Sequence, residues 1–286
     1  MNRMFFNASA LTSLDLTGWD VGKVTTMNHM FREARALVSV GDLSGWNTVN
    51  VTTMDRMFYN ATSLAWLDLT GWNVQSVTDM NQMFRGATSL ASVGNLSGWN
   101  TASLGYMMGM FRNTASLYSL NMEGWNVGSV ADMSDIFRDS GITTVGNIAG
   151  WDTSSATNMD RMFFGAASLT FLDLSGWEVG GVTSMNQMFR GASALSYLDI
   201  GGWDMISIAN TNQMFMGTTA LRVLALGSGF SANVAGASSL PAVPGGGRWQ
   251  NVGAGTVDNP LGDYLLTSLE LMDMYSGGGF ADVWVR

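Results

Sequence analysis

The chain has no cysteine and a single histidine, His29, among its 286 residues. Thiol chemistry, disulfides and thiolate zinc sites are therefore excluded. One imidazole also leaves almost no Ser-His-Asp or multi-histidine arrangement available. Proline is scarce, with three residues, and only 12% of the chain is charged. Basic residues number 13 against 22 acidic ones, a formal net charge of −9. Nucleic acid is thus not an expected partner, because neutralising phosphates requires a basic face. No apolar run approaches the ~18 residues that cross a bilayer, so no membrane insertion is expected. What is plentiful is apolar material: 47% of residues are hydrophobic, with 22 Met and 11 Trp. That is enough for a sizeable core, and the composition points away from an enzyme.

Self-similarity organises the chain. Trp19, Trp46, Trp72, Trp99, Trp125, Trp151, Trp177 and Trp203 each follow a glycine and recur at intervals of 26 or 27 residues. Phe5, Phe31, Phe58, Phe84, Phe111, Phe137, Phe163, Phe189 and Phe215 keep the same beat, eight of them directly after Met. Within each unit, Met80, Met83 and Phe84 exemplify an i, i+3, i+4 pattern that predicts a short helix of about two turns. Two residues after the Phe come Asn7, Asn60, Gly86, Asn113, Gly165, Gly191 and Gly217, types that tolerate left-handed backbone; Glu33 and Asp139 are the exceptions. The second element, Leu11-x-x-Leu14-Asp15-Leu16-x-x-Trp19-x-Val21, has leucine-rich-repeat spacing and predicts a short strand with one buried face. The Trp column is expected in the core, where replacing one by Ala costs roughly 3–5 kcal/mol. In three units the strand carries an extra residue with Gly: Val40-Gly41-Asp42-Leu43, Val93-Gly94-Asn95-Leu96 and Val145-Gly146-Asn147-Ile148. A bulge must absorb it, or the side chains would change faces.

These motifs resemble the 26-residue repeat of BspA-like bacterial surface proteins, relatives of the leucine-rich repeats. The similarity covers roughly residues 1–226. Residues 249–256, Tyr275 and Val283-Trp284-Val285 also resemble the module that follows such repeats in Gram-positive members. The resemblance implies an α/β repeat solenoid, a right-handed coil with a parallel strand face and short helices. It further implies a secreted or cell-surface protein that adheres to extracellular protein or glycan. Residues 1–226 are read as about nine units, the first truncated, and 227–286 as a Gly- and Pro-containing loop followed by a small terminal module. That module is expected to cover the last unit, with a separate binding module as the alternative. A helix with Leu265, Leu266, Leu269 and Met272 on one face and a strand from Phe280 to Val285 are expected there. The chain opens inside a unit and shows no signal peptide, so it reads as a fragment whose export and anchoring signals lie elsewhere.

Several columns bear on function. The Met columns fit core packing better than soft-metal binding, and no cofactor is expected. His29 is expected to face solvent. Asp15, Asp42, Asp68, Asn95, Asn121, Asn147, Asp173 and Asp199 form an Asp/Asn column read as a solvated acidic strip, with Ca²⁺ binding as the alternative. A second column after each Trp, from Asp20 to Asp204, is expected to satisfy turn amides. The candidate ligand-binding residues are outward aromatics: Trp66, Phe171 and Tyr197, in a column where most other units carry Ser or Thr, and Tyr118 one place earlier, with Asp68, Asp173 and Asp199 beside them. Exposed aromatics near acidic groups suit protein hot spots and sugar stacking; the alternative is that neighbouring chain covers them. Self-assembly into filaments is the competing role.

Overall fold

The computed structural model describes residues 1–205, 207–231, 240–275 and 281–286. Successive repeats lie side by side, numbered here from the one that holds Trp19 to a ninth that lacks the Trp. Residues about 26 apart pair as parallel bridges along two lines. One runs Thr26, Thr53, Asp79, Tyr106 and resumes through Asp132, Asn158, Ser184 and Asn210. The other joins the strand segments, which lengthen toward the C-terminal repeats into β1 (Phe171–Asp173), β2 (Tyr197–Ile200) and β3 (Val223–Leu226).

The short helices expected at the Met-Phe segments do not form. Among the described residues the one α-helix is α1, Ser268–Met274. The segment from Met80 to Ala87 shows why. Its amides alternate between partners: Gln82, Phe84 and Gly86 donate to carbonyls of Met108, Met110 and Arg112 in the next repeat, while Met83, Arg85 and Ala87 close turns three residues back. A helix would send every amide four residues back within its own segment. Turns also bring i and i+3 together, so Met80, Met83 and Phe84 are all buried, as the spacing requires. The nine residues two after the Phe all have positive φ, Glu33 and Asp139 included. A second left-handed column sits four residues earlier, at Arg3, His29, Arg56, Gln82, Gly109, Asp135, Arg161, Gln187 and Gln213. For residues with a Cβ this backbone is costly, and the amide bonds to the next repeat hold it in place.

Two aromatic columns fill the interior. The Phe rings from Phe5 to Phe215 stack nearly parallel, neighbouring centroids lying 5.2–6.1 Å apart. The indoles make a directed contact as well. Trp46, Trp72, Trp99, Trp125, Trp151, Trp177 and Trp203 donate their ring N–H to the carbonyls of Leu16, Leu43, Leu69, Leu96, Met122, Ile148 and Leu174, each in the preceding repeat. All seven are buried. Trp19 departs from the expected core position: it is 37% exposed.

The last repeat is covered. Strand β6 (Asp282–Val285) pairs antiparallel with β3 and with β4 (Trp249–Asn251), which in turn pairs with β5 (Leu265–Leu266), giving the order β1-β2-β3-β6-β4-β5. Trp249, Leu271, Tyr275 and Trp284 join the same apolar core as the repeats. The helix expectation for this module needs correction. Leu265 and Leu266 lie in a strand, Leu269 is exposed, and α1 buries Leu271 and Met272 instead. Its start is fixed by a capping box between Thr267 and Glu270, which begins the helix three residues later than a face counted from Leu265. Of the strand expected from Phe280, Phe280 itself lies outside the described residues.

Trp72→Phe is expected to lower stability by about 1–3 kcal/mol, because the buried Leu43 carbonyl loses a donor and the core loses volume. Trp19→Phe should cost less than about 0.5 kcal/mol. Urea unfolding of the two variants checks this, and equal losses would contradict the assignment.

Candidate ligand-binding face

The bulged strands create an alternation that governs one face of the molecule. In the second repeat, Ser39 and Val40 are consecutive, yet both carbonyls point back and accept from Leu14 and Leu16 of the first. A regular strand points successive carbonyls to opposite sides. The amides that would continue the ladder forward are diverted: Gly41 donates to the Ser39 hydroxyl and Asp42 to the Thr17 hydroxyl. The fourth repeat repeats this, with Ser92 and Val93 accepting from Leu67 and Leu69, and Gly94 and Asn95 donating to Ser92 and Thr70 hydroxyls. In the sixth, Thr144 and Val145 accept from Leu120 and Met122, and Gly146 donates to Thr144. Bridges therefore join Ser13 to Ser39, Trp66 to Ser92 and Ser119 to Thr144. Among the described residues none joins Ser39 to Trp66, Ser92 to Ser119, or Thr144 to Phe171. The ladder is closed at one interface and open at the next, until β1 to β3 run continuously.

Glycine is required at the bulge on two grounds. Gly94 has φ +79°, and a Cβ there would lie 2.4 Å from Asp68 Oδ1 and 2.7 Å from Thr70 Oγ1. Behind each open interface the indoles stack in compensation: Trp46 on Trp72, Trp99 on Trp125 and Trp151 on Trp177, at 5.7–5.9 Å.

Each open interface carries one of the predicted aromatics. Trp66, Tyr118 and Phe171 are 54%, 59% and 56% exposed and sit on the far wall of the three gaps, two repeats apart. At the second gap a groove of about 300 Å³ is lined by Ser92, Gly94, Asn95, Tyr118, Ser119 and Asn121. At the third, one of about 380 Å³ is lined by Thr144, Gly146, Asn147, Phe171, Leu172 and Asp173, with Ile148. Tyr197 differs. It is half-buried, stacks on Phe171 at 4.6 Å and donates its hydroxyl to Asp199 Oδ2 at 3.4 Å. Its burial, reinforced by the charges of Asp199 and Asp173, pushes its phenol pKa up.

The first Asp/Asn column is structural at its base. Asp15, Asp42, Asp68, Asn95, Asn121, Asn147, Asp173 and Asp199 each accept the amide two residues on. Hydrogen bonds from the Thr17 and Ser44 hydroxyls and amides hold the Asp15 and Asp42 carboxyls below the usual range. Asp20, Asn47, Asn73, Asn100, Asn126 and Asp152 make the same turn after the Trp. Among the described residues no three His, Cys, Asp or Glu side chains gather as a metal site, and no helix is long and apolar enough to cross a membrane.

The opposite, turn-bearing face collects guanidinium groups against aromatic rings. Arg32 lies over Phe6 and Tyr59, Arg85 over Tyr59, and Arg138 and Arg190 over Phe164. His29 belongs here and does not face solvent as expected. Its side chain is largely buried, Nε2 lies 3.5 Å from Asp55 Oδ2, and burial followed by the charges of Arg32, Arg56 and Arg3 lowers its pKa. Burial raises the Asp79 carboxyl, helped by the charge of Asp55 and opposed by the amide of Asn81 and by Arg56. Sequence reading missed both the left-handed column that His29 occupies and the open interfaces. Arg and Gln do not announce positive φ, and the bulge was legible only as an extra residue.

Comparison with known proteins bears on the repeats. The family described as "Mycoplasma protein of unknown function, DUF285" matches at residues 1–92, 38–145, 61–170 and 141–225. The chain belongs to this family. The match supports a BspA-like repeat protein. Among solved structures the chain is similar to a leucine-rich repeat protein from Bacteroides ovatus, with 14% identity, 78% of this chain and 80% of that one covered, and a TM-score of 0.24. No curated protein matches.

Two predictions follow from this geometry. Gly94→Ala should destabilise by about 1–2 kcal/mol for its left-handed backbone, with further loss from the contact with Asp68; a neutral effect in urea unfolding would contradict the bulge. Asp79→Asn keeps the acceptor for the Asn81 amide, a role that Asn158 and Asn210 fill in later repeats. Because the folded carboxyl holds its proton to higher pH than the unfolded one, the wild type gains stability from this group as pH falls through that raised value. The variant should therefore melt above wild type at neutral pH, and the difference should vanish in acid. Melting curves across pH that show a constant difference would refute this.

Proposed function

We propose that this chain is a non-catalytic binding scaffold of a secreted or cell-surface protein, recognising extracellular protein or glycan through its strand face. On this reading the repeats form a solenoid, a right-handed coil of 26-residue units of the BspA-like type. The observation that carries the proposal is the placement of Trp66, Tyr118 and Phe171 on one exposed face, each beside an open ladder interface. Large exposed aromatics are costly unless they meet a partner, and they are enriched in binding hot spots. Membership of the repeat family supports the scaffold role, since repeat arrays present extended surfaces. The acidic residues repeat in columns that accept turn amides, a scaffold use that favours binding over catalysis.

Self-assembly is the second reading, favoured by the exposed Trp19, Met4 and Phe6 at the first repeat. Its products on this reading are filaments or a surface-layer-like array.

Replacing Trp66, Phe171 and Tyr197 together by Ser should abolish retention of the chain on surfaces coated with extracellular-matrix protein or glycan, with near-native unfolding because two of the three are exposed. Retention equal to wild type with intact folding would remove this face from consideration.

A further inference from the structure

The open interfaces recur with a period of their own. Trp66 and Phe171 share one column four repeats apart, and between them Tyr118 stands one residue before the equivalent Ser119. Phe rings of adjacent repeats lie 5.2–6.1 Å apart, so two repeats advance about 10–12 Å, in keeping with two parallel-strand spacings. The face thus carries three open interfaces at roughly 10 Å intervals, with a groove at the second and the third, each holding one aromatic on its far wall. The other lining groups are Ser, Thr, Asn, Asp and Gly, with Ile148 and Leu172 at the third interface.

We propose that this row binds a linear, neutral, β-linked glycan, one disaccharide to each open interface, with Trp66, Tyr118 and Phe171 each stacking on a sugar ring. The inference rests on the reading of the strand face as a binding surface and names its ligand class. Four observations select the glycan. First, a surface that repeats by translation fits a ligand that does the same, and an equatorially linked glycan is a straight ribbon in which every second ring presents the same face. Its disaccharide is about as long as two strand spacings, roughly 10 Å. Second, each groove sets one aromatic ring among polar groups. Sugars need this mixture, a flat C–H face to cover an aromatic and hydroxyls that both donate and accept. Third, the bulges turn the Ser39, Ser92 and Thr144 carbonyls back to the preceding repeat, and among the described residues no ladder bridge runs from them to Trp66, Ser119 or Phe171, which breaks the strand face beside each aromatic. Fourth, Asp42, Asp68 and Asp173 border the gaps in a chain of net charge −9, which repels an anionic polymer and tolerates a neutral one. A protein partner would answer to a single buried apolar centre, and separate grooves of about 300 and 380 Å³ do not form one.

Titration calorimetry of the whole chain with cellohexaose and N-acetylchitohexaose tests this, with the corresponding disaccharides, maltohexaose as a curved α-linked chain and a hyaluronan hexamer as an anionic one. At least one neutral β-linked hexamer should bind about tenfold more tightly than its disaccharide, and Trp66→Ala, Tyr118→Ala and Phe171→Ala should each weaken it about fivefold to tenfold. Trp66→Phe should restore most of the loss. Tyr106→Ala removes an equally exposed ring from the other ladder and should change nothing. Absence of binding by both β-linked hexamers at millimolar concentration would overturn the proposal. So would equal binding of maltohexaose or hyaluronan, or affinity independent of length. A parallel arm separates this failure from that of the broader reading. If the chain ignores every hexamer yet is held on deglycosylated matrix protein through Trp66 and Phe171, the glycan falls and the binding face stands. Loss of both removes the two together.

Discussion

Each repeat depends on the next for its backbone hydrogen bonds. A coil with almost no internal helix or strand has few partners of its own for its amides and carbonyls, and buried polar backbone left unpaired is costly. The Met-Phe segments meet this need by sending every second amide across to the following repeat. The indoles act in the opposite direction, each N–H reaching back to a carbonyl one repeat earlier. Apolar stacking supplies much of the driving force, but these crossed donors fix the register. Trp19 is the exposed indole of the column and, among the described residues, makes no such bond. At the other end β6 supplies the missing partner by pairing with β3.

The period, the buried columns and the left-handed positions after each Phe were legible in the sequence. They are set by strong local chemistry: large apolar side chains recur at fixed offsets, and Gly or Asn marks a turn. The helix reading failed because i, i+3, i+4 burial is equally the product of consecutive turns. Only the destination of the amides distinguishes the two, and that depends on a neighbour 26 residues away. The left-handed column at Arg56 and Gln82 left no trace in residue type, because inter-repeat bonding overrides the intrinsic preference there. His29 looked exposed for the same reason. It was placed on a helix that does not exist, while the turn in fact aims it at Asp55.

The candidate site shows the same division. Trp66 and Phe171 stood out as large rings in a small-residue column, with Tyr118 one place before it, and all three are exposed. Their pairing with Gly41, Gly94 and Gly146 across alternate interfaces was not visible. It arises because one inserted residue turns two successive carbonyls to the same side and so closes one interface at the expense of the next. Tyr197 lies where β1 to β3 are continuous, and there the ring is half-buried against its neighbour instead of standing at a gap. One small irregularity thus converts a uniform array into a surface with spaced, similar grooves, and function in a repeat scaffold resides in such departures from uniformity.

Amide hydrogen exchange, resolved by residue, tests the alternation most directly. The amides of Leu14, Leu67 and Leu120 bond forward to backbone carbonyls across closed interfaces, whereas those of Gly41, Gly94 and Gly146 bond only to Ser or Thr hydroxyls at the open ones. The leucine amides are predicted to exchange at least about a hundredfold more slowly than the glycine amides, as expected for ladder bonds against exposed side-chain bonds. Equal protection of the two sets would mean a continuous ladder, with no grooves for a ligand to enter.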